Sequence, residues 1–129
     1  MLDTLRKRLR SEKGFTLIEL LVVMIILAIL TAIAIPSYLS FRDRANNSAA
    51  AADVRSVLPD VESFFSDNGT YVGMTVAILK STYDQSLTGT TYAVGSGLSA
   101  THYCVQATSQ NKTYHKNGPS APISAGACP

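Results

Sequence analysis

"KGFTLIELLVVMIILAILTAIAIP", Lys13 to Pro36, is the stretch from which the rest of the chain is read. Phe15 to Ile35 is a run of 21 residues in which only Thr16, Glu19 and Thr31 are polar. At about 1.5 Å of rise per residue, a helix of this length spans roughly 30 Å, the thickness of a bilayer's hydrocarbon core. The run is expected to be a membrane-crossing helix, and Glu19 is its anomaly. A carboxylate in hydrocarbon costs about 2.5–3.5 kcal/mol on insertion scales, so it needs a partner or a position shallow enough to reach the headgroups. Glu19 lies four residues from the start of the run, and on these grounds alone both readings stand.

The flanks set an orientation. Up to Gly14 the chain holds Arg6, Lys7, Arg8, Arg10 and Lys13 against Asp3 and Glu12, five bases and two acids. By the positive-inside rule this end stays in the cytoplasm, and the chain beyond Pro36 is delivered outside. The formal net charge of +2 over 129 residues hides this asymmetry, since beyond Gly14 there are six bases and seven acids. The basic character therefore bears on topology and is no argument for nucleic-acid binding.

The stretch "GFTLIELLVVMIILAILTAIAIPSYLSFRDRA" resembles the amino-terminal signature of type IV pilins and the related pseudopilins. The resemblance implies that a short basic leader, residues 1–14, is cut after Gly14 by a prepilin peptidase that also N-methylates the new terminus, Phe15. It makes Glu19 the glutamate of the family's fifth mature position and Pro36 its helix-softening proline. The implied function is that of a structural subunit that polymerises through its N-terminal helix into a type IV pilus or related surface filament. The precursor is expected to be a single-pass protein of the cytoplasmic membrane. Identical or related subunits, a membrane platform protein and a cytoplasmic motor ATPase are the implied partners, and no cofactor is implied. "IPSYLSFRDRA" is more like the pilins than the pseudopilins of type II secretion systems, and a minor, tip-located adhesion subunit would use the same anchor.

Elementary electrostatics makes the implied role of Glu19 sensible. Cleavage after Gly14 creates a charged amine at Phe15, poorly solvated within a bundle of apolar helices. A carboxylate one turn along can neutralise it, in its own chain or in the next subunit, and removing one member of a buried pair typically costs several kcal/mol. An intermolecular pair also fixes the axial register of otherwise featureless helices. Two rivals remain. "AIA" at Ala32–Ala34 completes an ordinary secretory signal peptide, cut after Ala34, and an uncleaved single-pass anchor has the same composition. Neither explains Gly14, Phe15 and Glu19 together.

Beyond Pro36, helical signals continue over residues 37–68. Pro36 should bend the helix, and Ala45 and Ala49–Ala52 keep helix propensity high. Val54, Val57, Leu58, Val61, Phe64 and Phe65 then form one apolar stripe, with Asp53, Arg55, Asp60 and Glu62 read as a solvated face. Pro59 should kink or restart the helix, and "SDNGTY" (Ser66–Tyr71) should end it. Residues 69–129 turn rich in Thr, Ser, Gly and Tyr, and "TTYAV" (Thr90–Val94), "THYCVQAT" (Thr101–Thr108) and "KTYHK" (Lys112–Lys116) read as strands. The expected fold is α+β: a long N-terminal helix, its first half (15–36) transmembrane and its second amphipathic, against a small antiparallel sheet head.

Such a small core benefits from a staple. Cys104 and Cys128 are the chain's two cysteines, both on the expected outer side. A bridge between them closes a loop of about 25 residues, worth roughly 3 kcal/mol, and the family often closes a C-terminal loop in this way. Metal binding is the weaker reading, because the two thiols with His102 and His115 make no recognised ligand spacing. No phosphate-cradling, nucleophile-elbow, zinc-protease or calcium-loop motif occurs, so enzymatic activity is not expected. Asn46, Asn68 and Asn111 head glycosylation-type triplets that arise readily by chance. Tyr103, Lys112, Tyr114, His115 and Lys116 interleave bases with aromatics, as nucleic-acid surfaces do, although a solvated strand edge is the simpler reading.

Overall fold

The structure is a computed structural model describing residues 14–88 and 90–129; the basic leader up to Lys13 lies outside the described residues. Helix α1 spans Leu17–Asn68, 52 residues. One compact unit ends at Ser40 and the second is Phe41–Pro129. In the first, every residue from Gly14 to Ser40 is exposed, and the helix is long and apolar enough to cross a membrane. Its threonine is satisfied locally: the Thr31 hydroxyl donates to the carbonyls of Leu27 (2.8 Å) and Ala28 (3.0 Å).

No restart occurs at Pro59, and α1 runs unbroken through it. The proline leaves the Arg55 carbonyl without its amide donor, but Arg55 and Pro59 both lie on the exposed face, where water can take the donor's place. On the opposite face Val57 and Val61 are buried, which holds the helix together on either side of the interruption. The end falls where "SDNGTY" placed it. Gly69 takes φ +69°, and its amide donates to the Phe65 carbonyl at 2.7 Å, the left-handed closure that glycine permits without a Cβ clash.

Within the second unit four strands, β1 (Thr91–Val94), β2 (Cys104–Ser109), β3 (Lys112–Asn117) and β4 (Ile123–Ala125), form an antiparallel sheet in sequence order. The β2–β3 hairpin turns through Gln110 (φ 48°) and Asn111 (φ 66°), and positive φ at both central residues matches the twist of tight hairpins. The fold is α+β, as expected. Strand β2 begins three residues later than "THYCVQAT" suggested, because Ser99 N–H bonds the His102 carbonyl (2.9 Å) and diverts Thr101–Tyr103 into a turn. Strand β4, three residues long beside Pro122, carries too short a pattern to be read in advance. Also unanticipated is helix α2 (Val76–Ile78), capped by the Thr75 hydroxyl, which accepts from Ile78 N–H at 3.2 Å and leads into a π-helical turn over Leu79–Tyr83.

The core lies between α1 and the sheet. Val57, Val61 and Phe64 from the helix meet Tyr71, Met74, Leu79, Leu87, Tyr103 and Val105, with Leu58 and Phe65 packed at its margin. The apolar stripe is therefore buried as its spacing required. Its supposed solvated face needs one correction. Arg55 and Glu62 are exposed, but Asp60 is buried, and Asp53 is half-buried with its carboxylate accepting the Thr90 hydroxyl at 3.0 Å. The stripe is wider than counted, because the segment before β1 folds back over the Asp53–Asp60 side of α1.

Candidate functional site

The first turn of α1 concentrates the chain's unusual chemistry. Gly14 and Phe15 precede the helix, and a Cβ built on Gly14 meets nothing within 4 Å. Phe15 is 86% exposed. Thr16 and Glu19 then bond reciprocally. The Glu19 amide donates to the Thr16 hydroxyl oxygen (3.2 Å), while Glu19 Oε2 accepts from the Thr16 amide (2.9 Å) and hydroxyl (3.0 Å). This is a capping box, in which a Thr side chain and a Glu three residues on satisfy backbone donors that a helix start leaves without partners. Its T-x-x-E signal stands in the sequence as Thr16-Leu17-Ile18-Glu19, ahead of an apolar run. Reading Glu19 for its charge alone misses it, because the signal lies in the spacing to Thr16.

The arrangement gives Glu19 two faces. Oε2 is held by its own helix start, and Oε1 receives no hydrogen bond among the described residues. A carboxylate so held is oriented and still has acceptor capacity for a cationic donor. Further along, Pro36 lies inside α1, and the Ser37 hydroxyl bonds back to the Ile33 carbonyl at 3.3 Å.

Cys104 and Cys128 are joined by a disulfide, with Cα atoms 5.9 Å apart. The bridge ties the C-terminal tail to the first residue of β2, and the Cys128 amide donates to Gln106 Oε1 at 2.8 Å. Gly95 makes room for it: a Cβ there would stand 2.9 Å from the Cys128 Cβ and 3.1 Å from the Cys104 Cβ. Of the histidines, His115 Nδ1 lies 3.0 Å from the Gly126 carbonyl and His102 sits beside Gly118. No group of three or more His, Cys, Asp or Glu suited to a metal ion exists among the described residues. The interleaved surface of bases and aromatics is broken up. Tyr103 is wholly buried, Lys112 pairs with Asp43 at 3.5 Å, and Lys116 bonds the Ala121 carbonyl.

Comparison with known proteins bears on the same turn. The family model of the prokaryotic N-terminal methylation motif matches residues 9–35. The chain is 36% identical over 97 residues to the type IV wide pilus major component PilA4 of Thermus thermophilus, covering 75% of this chain and 73% of that protein. It is 42% identical over 60 residues to the type IV major pilin protein PilA of Myxococcus xanthus, covering 46% of this chain and 27% of that protein. It is also 37% identical over 62 residues to the type II secretion system core protein G of Pseudomonas aeruginosa, covering 48% of this chain and 44% of that protein. The similarity to PilA4 is too long to be confined to the apolar helix. With its methylation motif, its long apolar helix and its disulfide-tied antiparallel sheet, the chain belongs to the type IV pilin family, as a structural subunit.

Proposed function

We propose that the chain is a major-type pilin, cut after Gly14, N-methylated on Phe15 and polymerised through α1 into a type IV pilus. The observation that carries this reading is the exposed Glu19 carboxylate at the first turn of an exposed apolar helix, one oxygen held by Thr16 and the other open. After cleavage the Phe15 amine supplies the missing cation. In a filament the amine of one subunit pairs with the Glu19 of its neighbour, which neutralises both charges within apolar surroundings and sets the axial register. Before assembly the precursor waits in the cytoplasmic membrane, basic leader inside and Phe41–Pro129 outside. Assembly then exchanges lipid contacts for helix packing. The similarity to core protein G covers a shorter stretch than that to PilA4, which favours a pilus over a secretion pseudopilus.

The reading implies a prepilin peptidase with methyltransferase activity, a platform protein and a motor ATPase as partners, and no catalytic role for the chain itself. Intact mass and N-terminal sequencing of the mature protein from its native cell test the processing step. The expected terminus is N-methylated Phe15. A terminus at Ile35 would mean an ordinary secreted domain, with Glu19 discarded along with a signal peptide.

A further inference from the structure

The unit Phe41–Pro129 carries six bases and six acids, and they are not evenly mixed. Arg42 and Arg44 open its helical part, and the fold adds Lys112, whose ammonium lies 3.5 Å from Asp43 Oδ1. Three bases against one acid make this end net +2, which leaves three bases against five acids, net −2, in the rest of the unit. A unit that is neutral in sum is therefore polarised, and its positive end is the one from which the chain runs into the apolar segment. No local run of sequence records the cluster, because Lys112 joins it only through the β2–β3 hairpin.

Both arginines are exposed, and among the described residues neither is in an ion pair. Arg42 stands seven residues beyond Ile35, the end of the apolar run. That is about 10 Å of helix, a distance at which hydrocarbon has given way to a headgroup layer roughly 5–7 Å deep on each side of a bilayer. Side chains on a helix lean toward its N-terminus, here back toward that layer. Arg44 does so: its guanidinium carbon is 5.9 Å from the ring centre of Phe41, three residues earlier. Phe41 is itself exposed, so an apolar ring and two long basic side chains share one turn, the amphipathic combination that suits a bilayer interface.

Other occupants fit less well. Most acids elsewhere in the unit are already engaged and are poor receivers for these bases from a second copy: Asp60 is buried, Asp53 and Asp67 accept the Thr90 and Tyr83 hydroxyls, and Asp84 accepts the Ser86 amide. A nucleic acid running past the cluster would meet the net negative remainder of the unit.

We propose that Arg42, Arg44 and Lys112 form a basic collar that binds the phosphate groups of anionic phospholipids at the outer face of the membrane. The collar rests on the reading that Phe15–Ile35 spans the bilayer, and it does not depend on the assembly role of Glu19. Each base close to an anionic surface adds roughly five-fold in affinity, and the planar fork of a guanidinium matches two phosphate oxygens at once. The collar gathers anionic lipid around the waiting precursor and fixes the depth at which Phe41–Pro129 rides. These contacts are given up when a subunit leaves the bilayer.

Electron spin resonance of spin-labelled lipids tests the collar on the full chain reconstituted in phosphatidylcholine vesicles. The quantity read is the association of spin-labelled phosphatidylglycerol with the protein, relative to that of spin-labelled phosphatidylcholine. The bases of the leader are the same in every variant, so a difference between variants belongs to the collar. Arg42→Gln combined with Arg44→Gln should lower the ratio by about two- to five-fold, and the difference should vanish in about 1 M sodium chloride, where the screening length is about 3 Å. Lys112→Gln should act in the same direction, whereas Arg42→Lys combined with Arg44→Lys should keep most of the ratio because the charge is kept. Equal ratios for an inserted wild type and an inserted double Gln variant would overturn the collar and leave the membrane-spanning reading intact. A chain that alkaline carbonate strips from the vesicles would overturn that reading, and the collar with it. Equal lipid ratios together with weaker binding of duplex DNA by the double Gln variant would also overturn the collar, by reassigning its bases to nucleic acid.

Discussion

Tyr103 shows how a single residue sets a stability that pH can reach. It is wholly buried, its hydroxyl finds no partner among the described residues, and its ring lies 4.8 Å from that of Tyr71. Burial, and then the neighbouring Glu62, raise the Tyr103 hydroxyl above the usual tyrosine range, and the same two causes raise Tyr71. A group that ionises less readily when folded binds its proton more tightly in the native state. Its contribution is therefore fully present below the unfolded value of about 10 and is lost as the pH rises above that. Tyr103→Phe removes the partnerless hydroxyl and with it one alkaline liability. It is expected to leave stability at neutral pH unchanged or to raise it by about 1 kcal/mol, and to move alkaline unfolding to higher pH. Denaturant titrations of both proteins at neutral and alkaline pH check this. A loss of several kcal/mol at neutral pH would mean that the hydroxyl has a partner after all.

At the scale of elements, the disulfide and the apolar stripe of α1 do different work. The stripe supplies burial: Val57, Val61 and Phe64 are covered by residues from the turn after α1, from the π-helical turn and from β2. The Cys104–Cys128 bridge supplies chain constraint, because β4 is only three residues long and ladder bonds alone hold the tail weakly. With a sequence separation of 24, the chain-entropy account assigns the bridge about 3 kcal/mol. Cys128→Ser should lower the melting temperature accordingly, and reduction of the wild type should reproduce the shift. An unchanged melting temperature would show that β4 and the Cys128–Gln106 bond hold the tail by themselves.

Across the whole molecule, the features legible in the sequence are those that rest on periodicity and punctuation. The apolar run from Phe15, the stripe from Val54 to Phe65 and the Asn68-Gly69 stop each act over a few neighbouring residues, and each fixed an element. Asp60 reads as solvated in the sequence because its burial depends on a segment more than twenty residues away that returns over α1, a contact no local pattern records. The π-helical turn and β4 are illegible for the same reason: tertiary contacts, not their own composition, stabilise them. Thr16, by contrast, is legible, and only the charge of Glu19 obscures it. Its T-x-x-E spacing adds a second role for Glu19, which caps its own helix and offers its remaining oxygen outward. The central claim is that this oxygen meets the amine of a neighbouring subunit. The most direct measurement is the amount of Glu19→Ala protein in sheared filaments, with the variant as sole copy in the native cell and its processing at Phe15 verified by mass. The account predicts a correctly processed subunit that stays in the membrane, with more than a ten-fold loss from filaments, since stranding one member of a buried charge pair costs several kcal/mol. Filaments formed at the wild-type yield would contradict it.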